Sequence, residues 1–150
     1  MREPRFTVRE AKAEDVHAML GLWAATPGIG LGVGDDEEDL KRFIARNPRT
    51  CLVAWKGGIL AGAVVGGFDG RRGYLYHLAV RKDYQSQGIG KALVAEVLDR
   101  FREIGARRVH LLVFTTNQQA VAFYTRLGWR LRQDVLVASW DCEPGKDCGC

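Results

Sequence analysis

The segment of the chain with the clearest chemical potential is a polar loop that leads into two closely spaced glycines. In full it reads Gln85-Ser86-Gln87-Gly88-Ile89-Gly90-Lys91. An apolar run precedes it, and an amphipathic helical pattern with apolar residues every four positions follows it. The first N–H groups of a helix have no internal partner, and the helix dipole makes that end positive. Because glycine lets an anion approach the backbone closely, this segment predicts a phosphate-binding turn.

Spacing excludes three familiar classes of site. A Walker loop would place glycine at position 85 and Ser or Thr at position 92, where this chain has Gln85 and Ala92. A dinucleotide-binding fingerprint would need a third glycine at Leu93. A Gly-x-Ser-x-Gly nucleophile elbow is absent, since the only serines are Ser86 and Ser139.

Two motifs in register resemble those of the GNAT superfamily of acetyl-CoA-dependent N-acetyltransferases. The loop fits the pattern Gln/Arg-x-x-Gly-x-Gly/Ala and follows a strand-like His77-Leu78-Ala79-Val80. A second signature follows at the expected distance, as Asn117-x-x-Ala120-x-x-Phe123-Tyr124-x-x-Leu127-Gly128-Trp129. Together the motifs cover about residues 74–130. The hairpin and the Asp69 to Gly73 turn before them are similar to those of YpeA-like and RimI-like members.

The resemblance implies acetyl-CoA as cosubstrate and assigns residues to it. The strand residues Leu78, Ala79 and Val80 would contact the pantetheine arm through their backbone. The amides of residues 85–91 would hold the pyrophosphate. Three basic residues are candidates for the 3′-phosphate, with no choice among them from sequence: Arg81, Lys82 and Arg126. Asn117 would either touch the cofactor arm or cap its helix.

The implied reaction is direct attack of a neutral amine on the thioester carbonyl. The backbone N–H of Leu78 or of a neighbouring residue would stabilise the oxyanion. Tyr124 matches the family's usual proton donor to the departing thiolate; the alternative is that it is a core aromatic residue.

The general base is not evident from the sequence. Many relatives carry a glutamate on the central strand or the next one, but these stretches of the chain contain no carboxylate. The candidates are Tyr74, Tyr76, His77 and His110, or a water molecule held by them. A site without an evident base favours a weakly basic acceptor amine, because such amines are neutral more often at pH 7.

The elements that must position these residues follow a mixed pattern, with hairpin strands first and strand–helix units after them. Strands are predicted at Phe6–Arg9, Thr50–Trp55, Ile59–Phe68, Tyr74–Val80, Val109–Phe114, Trp129–Leu131 and Val135–Trp140. Helices are predicted at Glu14–Ala25, Asp36–Arg46, Gly88–Ile104 and from Thr116 or Asn117 to Leu127. This order predicts an α/β (α+β) fold with helices on both faces of the sheet. With the resemblance, we expect a mostly antiparallel sheet of about six or seven strands that splays at its centre.

Composition is that of one globular domain. The chain has 150 residues, 47% hydrophobic and 27% charged, and it shows neither a signal-peptide core at residues 1–4 nor a membrane-spanning run. We therefore expect a soluble, cytoplasmic protein with no membrane partner. A net charge of +4 is too small to predict nucleic-acid binding. The acidic run at residues 35–39 and the glycine-rich loop before it are expected to build the acceptor groove.

A tail with three cysteines follows the predicted domain of residues 1–140. Cys142, Cys148 and Cys150 lie within residues 141–150, one thiolate short of a closed zinc site, so no metal is expected. Three readings of the chain remain: an acetyltransferase acting on a protein N-terminus, a lysine or a small amine; a non-catalytic acyl-CoA sensor or interaction module; and metal storage or redox signalling through the tail. The resemblance also implies that a homodimer is possible.

Overall fold

A single five-stranded sheet forms the centre of the fold in the computed structural model, which describes residues 6–143. Sheet order follows chain order: β1 Thr7–Glu10, β2 Cys51–Lys56, β3 Ile59–Phe68, β4 Gly73–Val80 and β5 Val109–Leu111. The first four strands are antiparallel neighbours, whereas β4 and β5 are parallel and need a crossover helix between them. The predicted mixed, mostly antiparallel sheet is confirmed.

Helices cover both faces of this sheet, as predicted. They are α1 Val16–Ala24, α2 Glu37–Arg46, α3 Ile89–Glu103 and α4 Gln118–Arg126, with short 3-10 turns at Ala13–Asp15 and Lys82–Tyr84. On one face, Met19 and Trp23 of α1 are buried with Leu40 of α2. On the other face, α3 buries an apolar stripe that includes Leu93 and Phe101. The periodic positions of α3 in the sequence therefore form its buried face.

Helix α3, which follows the polar loop that begins at Gln85, lies close against the sheet because the strands carry glycines there. A Cβ at Gly73 would lie 2.6 Å from the ring of Phe101, and one at Gly66 would lie 2.7 Å from it. The helix begins after Gly88, whose φ of +85° favours glycine, and it is followed by Gly105 with a φ of +97°. Both glycines were predicted from the sequence as the ends of this helix, and together they determine where α3 begins and ends.

The centre of the sheet splays, as expected. The β4–β5 ladder has three pairs, from Gly73 with Val109 to Leu75 with Leu111. Beyond Leu75, β4 continues to Val80 and pairs only with β3 on its other side. The β3–β4 register shifts at a bulge, where His77 has a φ of +54°. Within residues 6–143, no strand therefore pairs with the β5-facing side of β4 beyond Leu75, although the Val80 carbonyl accepts a hydrogen bond from Gln85 Nε2 at 3.3 Å.

The sequence prediction of further strands is wrong for the described residues. Neither Trp129–Leu131 nor Val135–Trp140 forms a strand, and β5 stops at Leu111 instead of Phe114. The alternating apolar pattern in these segments is real, but a strand also needs a paired neighbour. Here the apolar side chains are exposed, with Leu136 reaching 97%. Five strands are therefore found where about six or seven were expected.

Several expectations concern the chain ends or the membrane. Cys148, Cys150 and residues 1–4 lie outside the described residues, while Cys142 is described and exposed. Within residues 6–143, no group of His, Cys, Asp and Glu side chains is arranged to hold a metal ion. No helix in the same range is long and apolar enough to cross a bilayer.

Candidate active site

An open cleft of about 440 Å³ lies where β4 leaves β5. It is bounded by the end of β4, the first turn of α3, helix α4 and the loop after α1. The predicted cofactor residues that line it are Leu78, Ala79, Val80, Gln85, Ser86, Gly88, Ile89, Gly90, Lys91, Asn117 and Tyr124. Residues of the loop that was expected to build the acceptor groove also line it, namely Thr26, Pro27 and Ile29, as do Ala120 and Phe123 of the second motif. Tyr84 and Gln119 line it too, although the sequence assigned them no role.

The start of α3 forms the anion-ready end of this cleft. The first helical bond runs from the Ala92 N–H to the Gly88 carbonyl at 2.9 Å, and no side chain caps the helix. The amides of Ile89, Gly90 and Lys91 precede that bond, so they have no partner within the helix. Of the three basic candidates for the 3′-phosphate, Arg126 lines the cleft.

Gln87 is the predicted cofactor residue that does not line the cleft. Its side-chain oxygen accepts a hydrogen bond from Lys56 Nζ at 2.7 Å. The same ammonium lies 5.0 Å from the centre of the Tyr84 ring. These contacts tie the loop to β2 and leave the backbone amide of Gln87 as a predicted contact to the pyrophosphate.

Asn117 caps α4, which was one of its two predicted roles. Its Oδ1 accepts the Ala120 N–H at 3.1 Å. Its Nδ2 faces the loop after α1 so closely that a Cβ on Gly28 would lie 2.3 Å away. Gly28 also has a φ of +87°, a value that side chains disfavour. The glycine-rich loop is thereby seated against the first turn of α4, at the mouth of the cleft.

Gly28→Ala is predicted to weaken acetyl-CoA binding about 10-fold through a displaced loop, since strain of this kind costs about 1–3 kcal/mol. Isothermal titration calorimetry with acetyl-CoA measures the loss. Gly34→Ala is the matched control: Gly34 has a similar φ of +88° in the same loop, but nothing lies within 4 Å of an added Cβ. Equal losses in both variants would mean that the Asn117 contact is irrelevant.

Tyr124 lies on the cleft wall with its ring packed against two other aromatic residues. The ring centres are 5.1 Å from Phe123 and 5.5 Å from Trp129, both in edge-on geometry. Burial raises the pKa of Tyr124 to about 12. The phenol therefore keeps its proton throughout the neutral range and is available there as a hydrogen-bond donor.

His77, the residue before Leu78 in β4, does not line the cleft, and it forms a pair with a carboxylate from the loop after α1. Its Nε2 lies 3.0 Å from Asp35 Oδ1, and the two side chains are 9% and 18% exposed. The Trp23 ring packs on the imidazole at 5.2 Å, and the Gly32 N–H donates to the other Asp35 oxygen at 2.8 Å. Because an ionised carboxylate only accepts, Nε2 is the donor of this hydrogen bond, and in a neutral imidazole Nδ1 is then the atom with the lone pair.

The contact of Asp35 with His77 was not predicted, because residues 35–39 form one acidic run in the sequence. In the structure, Asp35 and Asp36 have different partners. Asp36 caps α2 by accepting the Asp39 N–H at 2.8 Å, and that bond lowers the pKa of the Asp36 carboxyl. Asp35 alone turns to the histidine. The sequence held a signal for this contact, because Asp35 comes just before the N-cap of α2 and its side chain is not needed for capping.

The other proposed bases lie away from the cleft wall. Tyr76 packs edge-on against Phe43 of α2 at 6.1 Å, within the core under α1 and α2. The rings of Tyr74 and His110 are tilted, with centres 5.6 Å apart, near the paired end of β4 and β5. Burial, followed by the nearby positive charge of Arg108, lowers the pKa of His110. Of the four residue candidates, His77 directly precedes the residues of β4 that line the cleft.

A splayed sheet, an uncapped helix start and Tyr124 meet at one cleft, as the resemblance to acetyl-CoA-dependent N-acetyltransferases implies. The sequence profile of the Acetyltransferase (GNAT) family matches residues 16–129. The chain is 28% identical over 130 residues to "Acetyltransferase SG1711" of Sodalis glossinidius, covering 87% of this chain and 91% of that protein. The chain belongs to the GNAT family, and it is an N-acetyltransferase that takes acetyl-CoA as cosubstrate.

Solved structures of other proteins share the observed fold. Ard1 from Thermoplasma volcanium superposes with a TM-score of 0.77 at 22% identity, covering 86% of this chain and 85% of that one. The PaiA N-acetyltransferase from Thermoplasma acidophilum, solved in complex with coenzyme A, gives 0.74 at 20% identity, with coverage of 85% and 91%.

Proposed function

We propose that the protein transfers an acetyl group from acetyl-CoA to a primary amine by direct attack within a ternary complex. One observation carries the proposal: a single cleft joins the uncapped start of α3 to the unpaired end of β4, with Tyr124 on its wall. The helix start suits the pyrophosphate, and the open edge of β4 suits the amide groups of the pantetheine arm. The thioester would then lie near the bulge, beside Leu78.

The attacking amine must lose a proton, and His77 is the proposed acceptor. The pair with Asp35 orients the imidazole and leaves Nδ1 as the basic atom. The amine nitrogen forms a bond to the carbonyl carbon, and the proton passes to Nδ1 through a water molecule, since His77 does not itself line the cleft. Asp35 stabilises the imidazolium that results. We propose the backbone N–H of Leu78 or of a neighbour as the donor to the oxyanion.

Collapse of the intermediate breaks the carbon–sulfur bond and releases CoA. Tyr124 would donate a hydrogen bond to the sulfur while negative charge develops there. Its pKa of about 12 lies well above the value near 8.5 of a free thiol, so the phenol stabilises the developing thiolate through a hydrogen bond and keeps its own proton. The sulfur gains its proton from the imidazolium of His77 through solvent, which balances the proton taken from the amine and restores His77.

Tyr124→Phe is predicted to lower kcat about 100-fold, with the affinity for acetyl-CoA little changed, because only the hydrogen-bond donor to the sulfur is removed. The wild-type rate should not fall between pH 8 and pH 10, since the phenol keeps its proton until about pH 12. Chromatographic separation of CoA from acetyl-CoA gives the reaction rate, and therefore both the kcat of the variant and the pH dependence of the wild type. Tyr74→Phe, on the far side of the sheet opening, is the control. Unchanged kcat in Tyr124→Phe would exclude this role.

On the acceptor side, the loop that carries Thr26 and Asp35 is the proposed wall. Asp35 of this loop pairs with His77, and three more acidic side chains occupy the first turn of α2. We propose an acceptor drawn from protein N-termini, lysine side chains and small amines, with preference for a weakly basic amine. We also propose that the chain belongs to the YpeA-like or RimI-like branch of the family and that its domain ends at residue 140. A cytoplasmic location and a homodimer are the remaining parts of this proposal.

Isotopically heavy acetyl-CoA tests the proposed function. The purified protein is incubated with a dialysed bacterial extract and a pool of small amines, and mass spectrometry locates the label. Label on peptide N-termini or lysines would identify a protein acetyltransferase, and label on a small amine a metabolic one. In both cases the Tyr124→Phe protein should transfer far less. Bound acetyl-CoA with no transfer to any amine would instead indicate an acyl-CoA sensor.

A further inference from the structure

The C-terminal arm, residues 130–143, presents an apolar surface that the described chain does not cover. Its large hydrophobic side chains are mostly or fully exposed, at 52% for Leu131, 57% for Val135, 97% for Leu136, 67% for Val137 and 89% for Trp140. Exposure falls on both faces, because Val135 and Val137 alternate with Leu136. A segment that is apolar on both faces is typical of a strand covered on both sides. The arm therefore has the character of an inner strand without its sheet.

The sheet has the matching vacancy at its β5 edge. β5 is the last strand in the sheet order, and within residues 6–143 only β4 pairs with it. Leu112 and Phe114, which continue its line, are 49% and 42% exposed. An open edge of this kind is a template for a strand from elsewhere. A groove of about 640 Å³ runs beside it, with Phe101 and Trp129 among its apolar lining residues.

Charge also fits the arm to this groove. Arg102, Arg107 and Arg108 lie along the groove, whereas the described end of the arm carries Asp141 and Glu143. Near its root, the arm supplies Arg130 and Arg132 to the groove wall and then leaves it. The chain's own strand-like segment thus passes the groove without occupying it.

We propose that two copies of this chain exchange their C-terminal arms, each arm adding a strand beside β5 of the other copy. Reciprocal exchange closes with twofold symmetry, so both open edges and both apolar arms are covered at once. The arm follows Trp129, whose N–H donates to the Tyr124 carbonyl at 3.0 Å and whose ring packs on the ring of Tyr124. The exchanged strand is therefore anchored next to Tyr124.

Leu136→Asp tests the proposal cleanly because that side chain is almost fully exposed in the single chain and contributes nothing to its core. Under reducing conditions, size-exclusion chromatography with light scattering should give twice the mass of one chain for wild type and one mass for the variant. Ile59→Asp is the matched control, since Ile59 is 42% exposed on the β2–β3 hairpin and should leave the dimer intact. A monomeric wild type, or a dimer that persists in Leu136→Asp, would overturn the proposal.

Cross-linking then distinguishes exchange from any other dimer. Cys142, Cys148 and Cys150 are replaced by serine, and Leu112→Cys and Val137→Cys are made in separate chains that carry different tags. Exchange predicts disulfides between the two tagged chains after mixing through a partly denatured state and mild oxidation. A double Leu112→Cys, Val137→Cys chain that closes its disulfide within a monomer would show that the arm folds onto its own sheet, and would refute exchange.

Discussion

His77→Asn is expected to lower kcat for amine acetylation by about 100- to 10 000-fold, the usual contribution of a general base. Asparagine suits the test because it tolerates the positive φ that His77 adopts in the bulge. The variant cannot accept the amine's proton through an imidazole nitrogen. The affinity for acetyl-CoA should stay within about threefold, because the His77 side chain does not line the cleft. Calorimetry measures this affinity. A chromatographic assay with the acceptor amine that the heavy acetyl label identifies gives kcat.

Two further variants show whether the effect comes from the pair. Asp35→Asn keeps an oxygen near Nε2 but removes the charge, and a charge-assisted hydrogen bond contributes about 1.5–3 kcal/mol. A fall in kcat of about 10- to 100-fold is therefore expected. His17→Asn, at an exposed position of α1, should have no effect. Wild-type kcat in His77→Asn, with a loss in His110→Asn instead, would place the base on β5, beside the paired end of β4.

Gly90→Val is expected to weaken acetyl-CoA binding by at least about 100-fold. Even a Cβ at Gly90 would lie 3.3 Å from the Phe123 ring and 3.5 Å from the side chain of Val80. The two methyl groups of valine would then fill the narrow part of the cleft in front of the α3 amides. A loss of this size corresponds to about 2.7 kcal/mol of binding free energy. Equilibrium dialysis with labelled acetyl-CoA measures it.

Gly21→Val is the control for helix propensity, since Gly21 is an exposed position of α1 with nothing within 4 Å of an added Cβ. Both variants place a β-branched residue in a helix and should lose similar stability on thermal unfolding. Gly21→Val should bind acetyl-CoA normally. Wild-type affinity in Gly90→Val would contradict the assignment of the α3 start to the pyrophosphate.

How far the sequence predicts this protein depends on whether a feature is local. The glycines at both ends of α3 and the apolar repeat between them encode that helix within the segment itself. The Asn117 cap and the hairpin of β2 and β3 are equally local, and both were predicted. The cofactor loop was found for the same reason, because its residues are contiguous.

Features that join distant segments were not predictable. Asp35 reaches His77 across 42 positions of the chain, and a bulge of positive φ turns the imidazole towards it. Strand pairing is also non-local, so the apolar pattern of Val135–Trp140 gave a strand prediction although the described chain pairs it with nothing. Side-chain alternation reports a preference for extended structure, and a neighbour decides whether a strand forms.

The central claim, direct transfer within a ternary complex, is tested most directly by rapid quenching of the wild-type protein with heavy acetyl-CoA. Without an acceptor, the account predicts bound acetyl-CoA and no acetyl group on the protein that can later be transferred. When the acceptor amine is added, CoA and acetylated amine should appear together in equal amounts. An acetylated side chain that forms first and then passes its label to the amine would contradict direct attack. Acetyl-CoA that remains intact with every amine would contradict the assignment of an acetyltransferase.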